Sequence, residues 1–277
     1  MSLRALVKRV LLPFRGCSRL AGGCAGASDD NLVFQVEDYA HQTISIPVEW
    51  CTSVYGFGFG ASAWHYLAST MRQYLINREL ALDESYLWRY YQCFQPANLG
   101  EAMYGPHHGK AGATDVLTRY RDPQNAPMPW VLERHIQGPY RMKQAPLGDY
   151  GPRPTDKVSA RFERLISVLH AIEKDNYCRE RLSSPHDSIR GVLLKYGTRF
   201  KMLIVGGNHR AAAIAALGHE QIPVEFLRDE PHFLDVEHAP DWPCVRHNYL
   251  SEAVARDLIV QYFEDNGVAK AKAWGIL

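Results

Sequence analysis

Five consecutive residues, Gly206-Gly207-Asn208-His209-Arg210, place an imidazole and a guanidinium directly after two glycines. The apolar residues Ile204 and Val205 lead into them, and alanines at 211, 212, 213, 215 and 216 follow. The pattern reads as strand, tight turn and short helix. Asn208 is expected to cap that helix, because its side chain can accept from a free backbone N–H. Gly218 is expected to end it in a left-handed conformation. A helix start concentrates unpaired N–H groups and the positive end of the helix dipole. Gly206 and Gly207 would let a ligand approach the backbone closely. Arg210 adds a planar fork of donors suited to phosphate oxygens. His209 adds a donor or, when neutral, a proton acceptor. These parts agree on an anion site, with phosphate as the natural occupant. The same turn also reads as a plain strand-to-helix connection. In that case Arg210 pairs with a carboxylate and His209 bonds a backbone carbonyl.

A phosphate site needs a framework, and the chain is long enough to supply one. Its 277 residues are 46% hydrophobic and 22% charged, which suits one large globular domain or two modest ones. The net charge of +1 gives no global field to draw the chain to nucleic acid, so nucleic acid is not an expected partner. The six cysteines, at 17, 24, 51, 93, 178 and 244, form no C-x-x-C pair. Reduced thiols in an intracellular protein are expected, rather than a zinc site or a disulfide framework. The adjacent His107 and His108 are not expected to share a metal. No apolar run is long enough for a spanning helix.

Residues 1–27 read as a basic amphipathic arm. Leu3, Leu6, Val7, Val10, Leu11 and Phe14 make one apolar stripe, and Arg4, Lys8, Arg9, Arg15 and Arg19 meet no acid before Asp29. Residues 3–15 are therefore a candidate contact with an anionic membrane surface, or an arm docked on its own domain. The expected location is cytoplasmic, with peripheral membrane association through this arm.

Residues 28–145 form a region of unassigned type. NLVFQV (31–36) and TISIPV (43–48) read as strands, YGFGFGAS (55–62) as a turn, and 61–94 as helical and aromatic-rich. The proline-rich stretch 95–156 reads as loop. Beyond it, Val158, Phe162, Leu165, Ile166, Leu169 and Ile172 define a helix from about Asp156 to Asp175. A hairpin is expected around Tyr196-Gly197-Thr198. Ser251 is expected to cap a last helix that buries Val254, Leu258, Ile259 and Tyr262.

The run GGNHRAAAIAALGHEQIPVEF, preceded by an apolar strand, resembles the signature of the ParB/sulfiredoxin superfamily. RFERLISVLHAIEKDNY resembles that family's upstream helix. The resemblance covers about residues 155–230 and none of 1–145. It implies an α/β (α+β) fold: a compact mixed-sheet domain over 146–240, with the aromatic-rich, helix-containing region before it and a C-terminal helical extension over 241–277. It also implies that Gly206, Gly207, Asn208, His209 and Arg210 line a site for the phosphates of ATP or another nucleotide, with Mg²⁺. The implied activity is transfer of phosphate to a small-molecule acceptor, with His209 and a carboxylate near the upstream helix as catalytic candidates. Asp149, Asp156 and Glu163 are the carboxylates in question. Sulfiredoxins carry their reactive cysteine immediately before the His-Arg pair. Asn208 stands there, and an amide cannot supply a thiolate, so that activity is not expected. The alternatives are a nucleotide-binding switch or scaffold without turnover and a ParB-like DNA-binding or nuclease protein. The missing basic field argues against the last of these.

Overall fold

The computed structural model describes residues 43–106, 117, 120, 128, 129, 150–178, 188–226 and 232–277. The N-terminal arm, the NLVFQV segment, His107, His108 and Asp149 lie outside the described residues.

A mixed sheet of six strands organises the chain: β1 (Thr43–Pro47), β2 (Cys51–Ser53), β3 (Arg190–Tyr196), β4 (Arg199–Gly206), β5 (Gln221–Glu225) and β6 (Phe233–Asp235). The expected hairpin forms, with β3 and β4 antiparallel and Tyr196 opposite Arg199. Gly197 turns the corner at φ +57°, which the side chain of most residues would resist. The strand order is β1-β5-β3-β4-β2, and β6 also pairs with β3, in parallel. Two of these strands, β1 and β2, come from the segment to which the sequence assigns no type. In β3, Gly191 through Leu194 are buried without a break. Alternate strand residues face opposite ways, so both faces of the sheet are covered at that point.

The aromatic stretch resolves into two helices, α1 (Tyr66–Ile76) and α2 (Tyr86–Cys93). Each starts at a residue whose side chain accepts a backbone N–H, His65 for α1 and Ser85 for α2. Within the stretch expected to be loop, a short helix α3 (Leu99–Tyr104) forms instead. Its start has reciprocal caps: Asn98 Oδ1 accepts from Glu101 N–H at 3.0 Å, and Glu101 Oε2 accepts from Ala97 N–H at 2.9 Å. Prolines on either side hide this signal in the sequence. Helix α4 (Thr155–Asp175) matches the expected span, with Val158, Leu165, Leu169 and Ile172 buried. Helix α5 (Asn208–Ala216) buries Ala211 through Ala215 in an unbroken run. Its bare surface lets it pack against α1, α4 and β5 together. After α6 (Pro243–Arg246) comes α7 (Glu252–Glu264), capped by Ser251 as expected and packed on β3 and β4. One more helix, α8 (Val268–Ala273), follows Gly267.

The aromatic residues fill the core, as their density predicts. Five rings lie in one stacked series: Phe59 on His65 at 4.0 Å, His65 on Tyr66 at 4.9 Å, Tyr66 on Tyr90 at 3.8 Å and Tyr90 on Phe94 at 5.1 Å. The series ties α1 to α2 and continues to the residue just past the end of α2. Among the described residues no helix is long and apolar enough to cross a membrane.

Candidate anion site

Strand β4 ends at Gly206, and Gly207 occupies the N-cap position of α5 with φ +72° and ψ +22°. Asn208 is therefore the first helical residue rather than the cap, and no side chain caps this helix. The correction has a steric cause. A Cβ on residue 207 would lie 2.6 Å from Ser188 O and 2.7 Å from Ile189 Cα. The chain at 188–189 presses so closely that only glycine fits, and a left-handed glycine makes the turn one residue earlier than a capping asparagine would. The room at Gly206 is likewise taken from within the protein. A Cβ there would meet the Arg190 guanidinium at 2.6 Å. The glycines thus admit neighbouring chain, where the sequence suggested direct access for a ligand.

Polar groups without a partner among the described residues are found one and two residues further on. The Gly207 carbonyl accepts the N–H of Arg210 at 2.9 Å and of Ala211 at 3.0 Å. The N–H groups of Asn208 and His209 lie ahead of the first helical carbonyl able to accept them. Asn208 Oδ1 and His209 Nε2 are both buried with no hydrogen-bond partner among the described residues. Burial pushes the His209 imidazole down to about 3, and the positive charges of Arg161, Arg164 and Arg210 push in the same direction. His209 is consequently neutral at physiological pH.

Two of those arginines come from α4. Arg161 donates from Nη2 to Tyr66 Oη at 3.3 Å, and its guanidinium carbon lies 5.9 Å from the Tyr91 ring centre. Its charge also acts on a second imidazole, His65, which is 1% exposed. Burial holds His65 well below the usual histidine range, with Arg161, Arg72 and His209 adding to the effect. The starts of α1 and α5 therefore lie within electrostatic reach of each other, and Arg161 bears on both. Two positive helix ends and several guanidinium groups share one region, an arrangement suited to an anion.

The expected carboxylates are placed differently. Asp156 and Glu163 are both exposed on α4. Asp156 Oδ2 lies 3.9 Å from Lys157 Nζ. Glu163 Oε1 accepts from Ser159 Oγ at 3.4 Å. Glu163 follows Arg161 by two residues, about 200° around the helix, so it projects away from the side that carries Arg161. A different carboxylate is buried near the turn: Glu225, 4% exposed, which pairs in register with Arg190. Among the described residues no group of three or more His, Cys, Asp or Glu is arranged to hold a metal. The charged groups that act on His209 are the guanidinium groups of Arg161, Arg164 and Arg210, which attract anions rather than metal cations.

His65, Arg161 and Arg164 are the site residues that the sequence alone did not single out. A signal existed for Arg161. It falls three residues after Val158 and four before Leu165, which puts a cation on the apolar stripe of α4. His65 carried no comparable mark. Comparison with known proteins adds no name to this geometry: no family model, no curated protein and no solved structure matches the chain.

Proposed function

We propose that this chain binds the phosphate groups of a nucleotide, ATP or another, at the start of α5. The observation that carries the reading is a half-buried neutral imidazole, His209, under the charge of three arginines, whose buried Nε2 and the adjacent buried Asn208 Oδ1 have no partner among the described residues. Guanidinium groups that repel one another at close range are stabilised by an anion placed among them. A phosphate also accepts the N–H groups of the first helical turn. Asn208 Oδ1 needs a donor, which a hydroxyl on the ligand supplies.

The order of strand, Gly-Gly-Asn-His-Arg turn, alanine helix and IPV strand supports a ParB/sulfiredoxin type of core for residues 190–226. On that reading Arg210 and Arg161 neutralise charge that develops on the transferred phosphate, and the bound anion offsets the positive charge that helps to keep His209 near 3, which lets His209 take the proton of an acceptor hydroxyl. A second reading, binding without turnover, is favoured by one observation: Asp156 and Glu163, the carboxylates proposed as bases, are exposed. Nothing in the turn supplies a thiolate, in keeping with a role other than sulfinic-acid reduction.

A panel of nucleotides, with and without Mg²⁺, tests the reading by thermal denaturation. A ligand of the folded state raises the melting temperature by mass action. ATP or another nucleotide is expected to do so. Failure of every phosphate compound to shift the transition would overturn the reading. ATP consumption with Mg²⁺ and a hydroxyl acceptor separates the phosphotransferase from the switch.

A further inference from the structure

His65 lies in a segment to which the sequence assigns no chemistry, yet its ring is closely held by both its ring contacts and its Nδ1. It is 1% exposed and stacked between Phe59, at 4.0 Å, and Tyr66, at 4.9 Å. Nδ1 accepts the Leu67 N–H at 3.3 Å, and this is the ring's only hydrogen bond among the described residues. An imidazole whose Nδ1 lone pair is engaged in this way, and which is neutral, carries its proton on Nε2. His65 thus holds an N–H donor in a fixed direction, on a ring only 1% exposed, with no acceptor among the described residues. Buried polar groups of folded proteins are nearly always partnered, so a buried donor left over calls for a ligand. Helix α1, which His65 caps, packs directly on α5, and His209 and Arg161 lie within electrostatic reach of the ring.

We propose that His65 is a direct ligand-binding residue, donating its Nε2 proton to an oxygen of the phosphate held at the start of α5. The proposal rests on the phosphate-binding reading above. It makes the site two-sided: His209 and Arg210 approach the anion from α5, and His65 approaches from α1. The ligand class is a phosphate ester or anhydride with an oxygen directed toward α1, and ATP and inorganic pyrophosphate are the probes.

The test is titration calorimetry of the full chain with each probe, comparing wild type with His65→Asn. Asparagine is among the best helix caps, so it keeps the bond to Leu67 N–H but is too short to replace the Nε2 donor. The variant is expected to bind ATP and pyrophosphate about ten- to a hundredfold more weakly, the worth of a hydrogen bond to a charged group. Long-range ¹⁵N spectra of the wild type give a second readout. The His65 Nε2 resonance is expected to be that of a protonated nitrogen and to shift on saturation with ATP. Equal affinity of wild type and His65→Asn overturns the role of His65 and leaves the phosphate site standing. Should His65→Asn fail to fold, an Nε2 resonance unmoved by bound ATP overturns it as well. A wild type that binds neither probe overturns the phosphate reading itself, and this inference with it.

Discussion

Two places among the described residues bury polar nitrogen and oxygen groups, and they treat them in opposite ways. At the C-terminal end, Lys270 is 3% exposed. Its Nζ donates to Tyr55 O at 2.5 Å, lies 3.7 Å from Asp265 Oδ2 and sits 5.5 Å from the centre of the Phe57 ring. A carbonyl, a carboxylate and an aromatic face receive it from within the chain. At the start of α5, by contrast, Asn208 Oδ1 and His209 Nε2 are buried with no hydrogen-bond partner among the described residues, and the Nε2 of the nearly enclosed His65 has none there either. A buried cation that is satisfied internally fastens one segment to another. Polar atoms left unmet in a similarly buried setting point outward to a ligand. Both places draw on the same segment, since residues 55–65 receive Lys270 at one end and supply His65 at the other.

The largest effect should come from the fastening. Lys270→Ala leaves Asp265 without its cation and opens a gap beside Gly56, and urea denaturation is expected to show a loss of about 3–5 kcal/mol. A mild loss would mean that Lys270 is no more structural than the arginines. The same residue sharpens the contrast through pH. Burial lowers its ammonium to about 8, against 10.5 for a free lysine, with Asp265 working the other way. Between those values the unfolded chain holds a proton that the folded chain has released. Stability therefore rises with pH across this window, by at most about 3 kcal/mol from this group. Urea midpoints of wild type and Lys270→Met at pH 7.5 and 9.5 measure it, and the rise should be missing from the variant.

Substitution of Arg210 should move binding more than stability. Arg210→Ala is expected to weaken ATP binding by about 1.5–3 kcal/mol, with Arg210→Lys recovering part of it, as calorimetry would show. Unfolding by Arg210→Ala would erase the distinction between the two regions. Gly207→Ala tests the turn itself. It forces a Cβ against Ser188 O and Ile189 Cα at φ +72°, for an expected cost of about 1–3 kcal/mol in thermal or urea unfolding.

Much of the framework was legible in the sequence because it is local. The Tyr196–Thr198 hairpin, the α4 span, the Ser251 cap and the alanine run of α5 each follow from spacing within a dozen residues. The anion site was legible only in its local half. Gly206 to Arg210 could be read, but the cap was misplaced by one residue, because the reason for a left-handed Gly207 is the chain at 188–189, nineteen or so residues away by the numbering. His65 lies more than a hundred residues earlier, and nothing in its own neighbourhood shows that α1 will pack on α5. Arg161 is the intermediate case, out of place on an apolar stripe but with no sign of what it faces. The smallest expected effect belongs to the carboxylates. Asp156→Ala and Glu163→Ala should each change stability by no more than about 0.5 kcal/mol, as exposed substitutions do. If either abolished ATP turnover at unchanged ATP affinity, that carboxylate would join the site.

The stacked rings from Phe59 to Phe94 have a kinetic consequence. Tyr66 and Tyr90 lie 3.8 Å apart at an interplanar angle of 7°, and each has a second ring, His65 or Phe94, stacked on it. A tyrosine clamped on both faces cannot rotate by a half-turn within its van der Waals envelope. Each flip must wait for α1 and α2 to part. The flip rates of Tyr66 and Tyr90 therefore act as a clock for the opening of this layer, and a ligand that grips His65 should slow that clock.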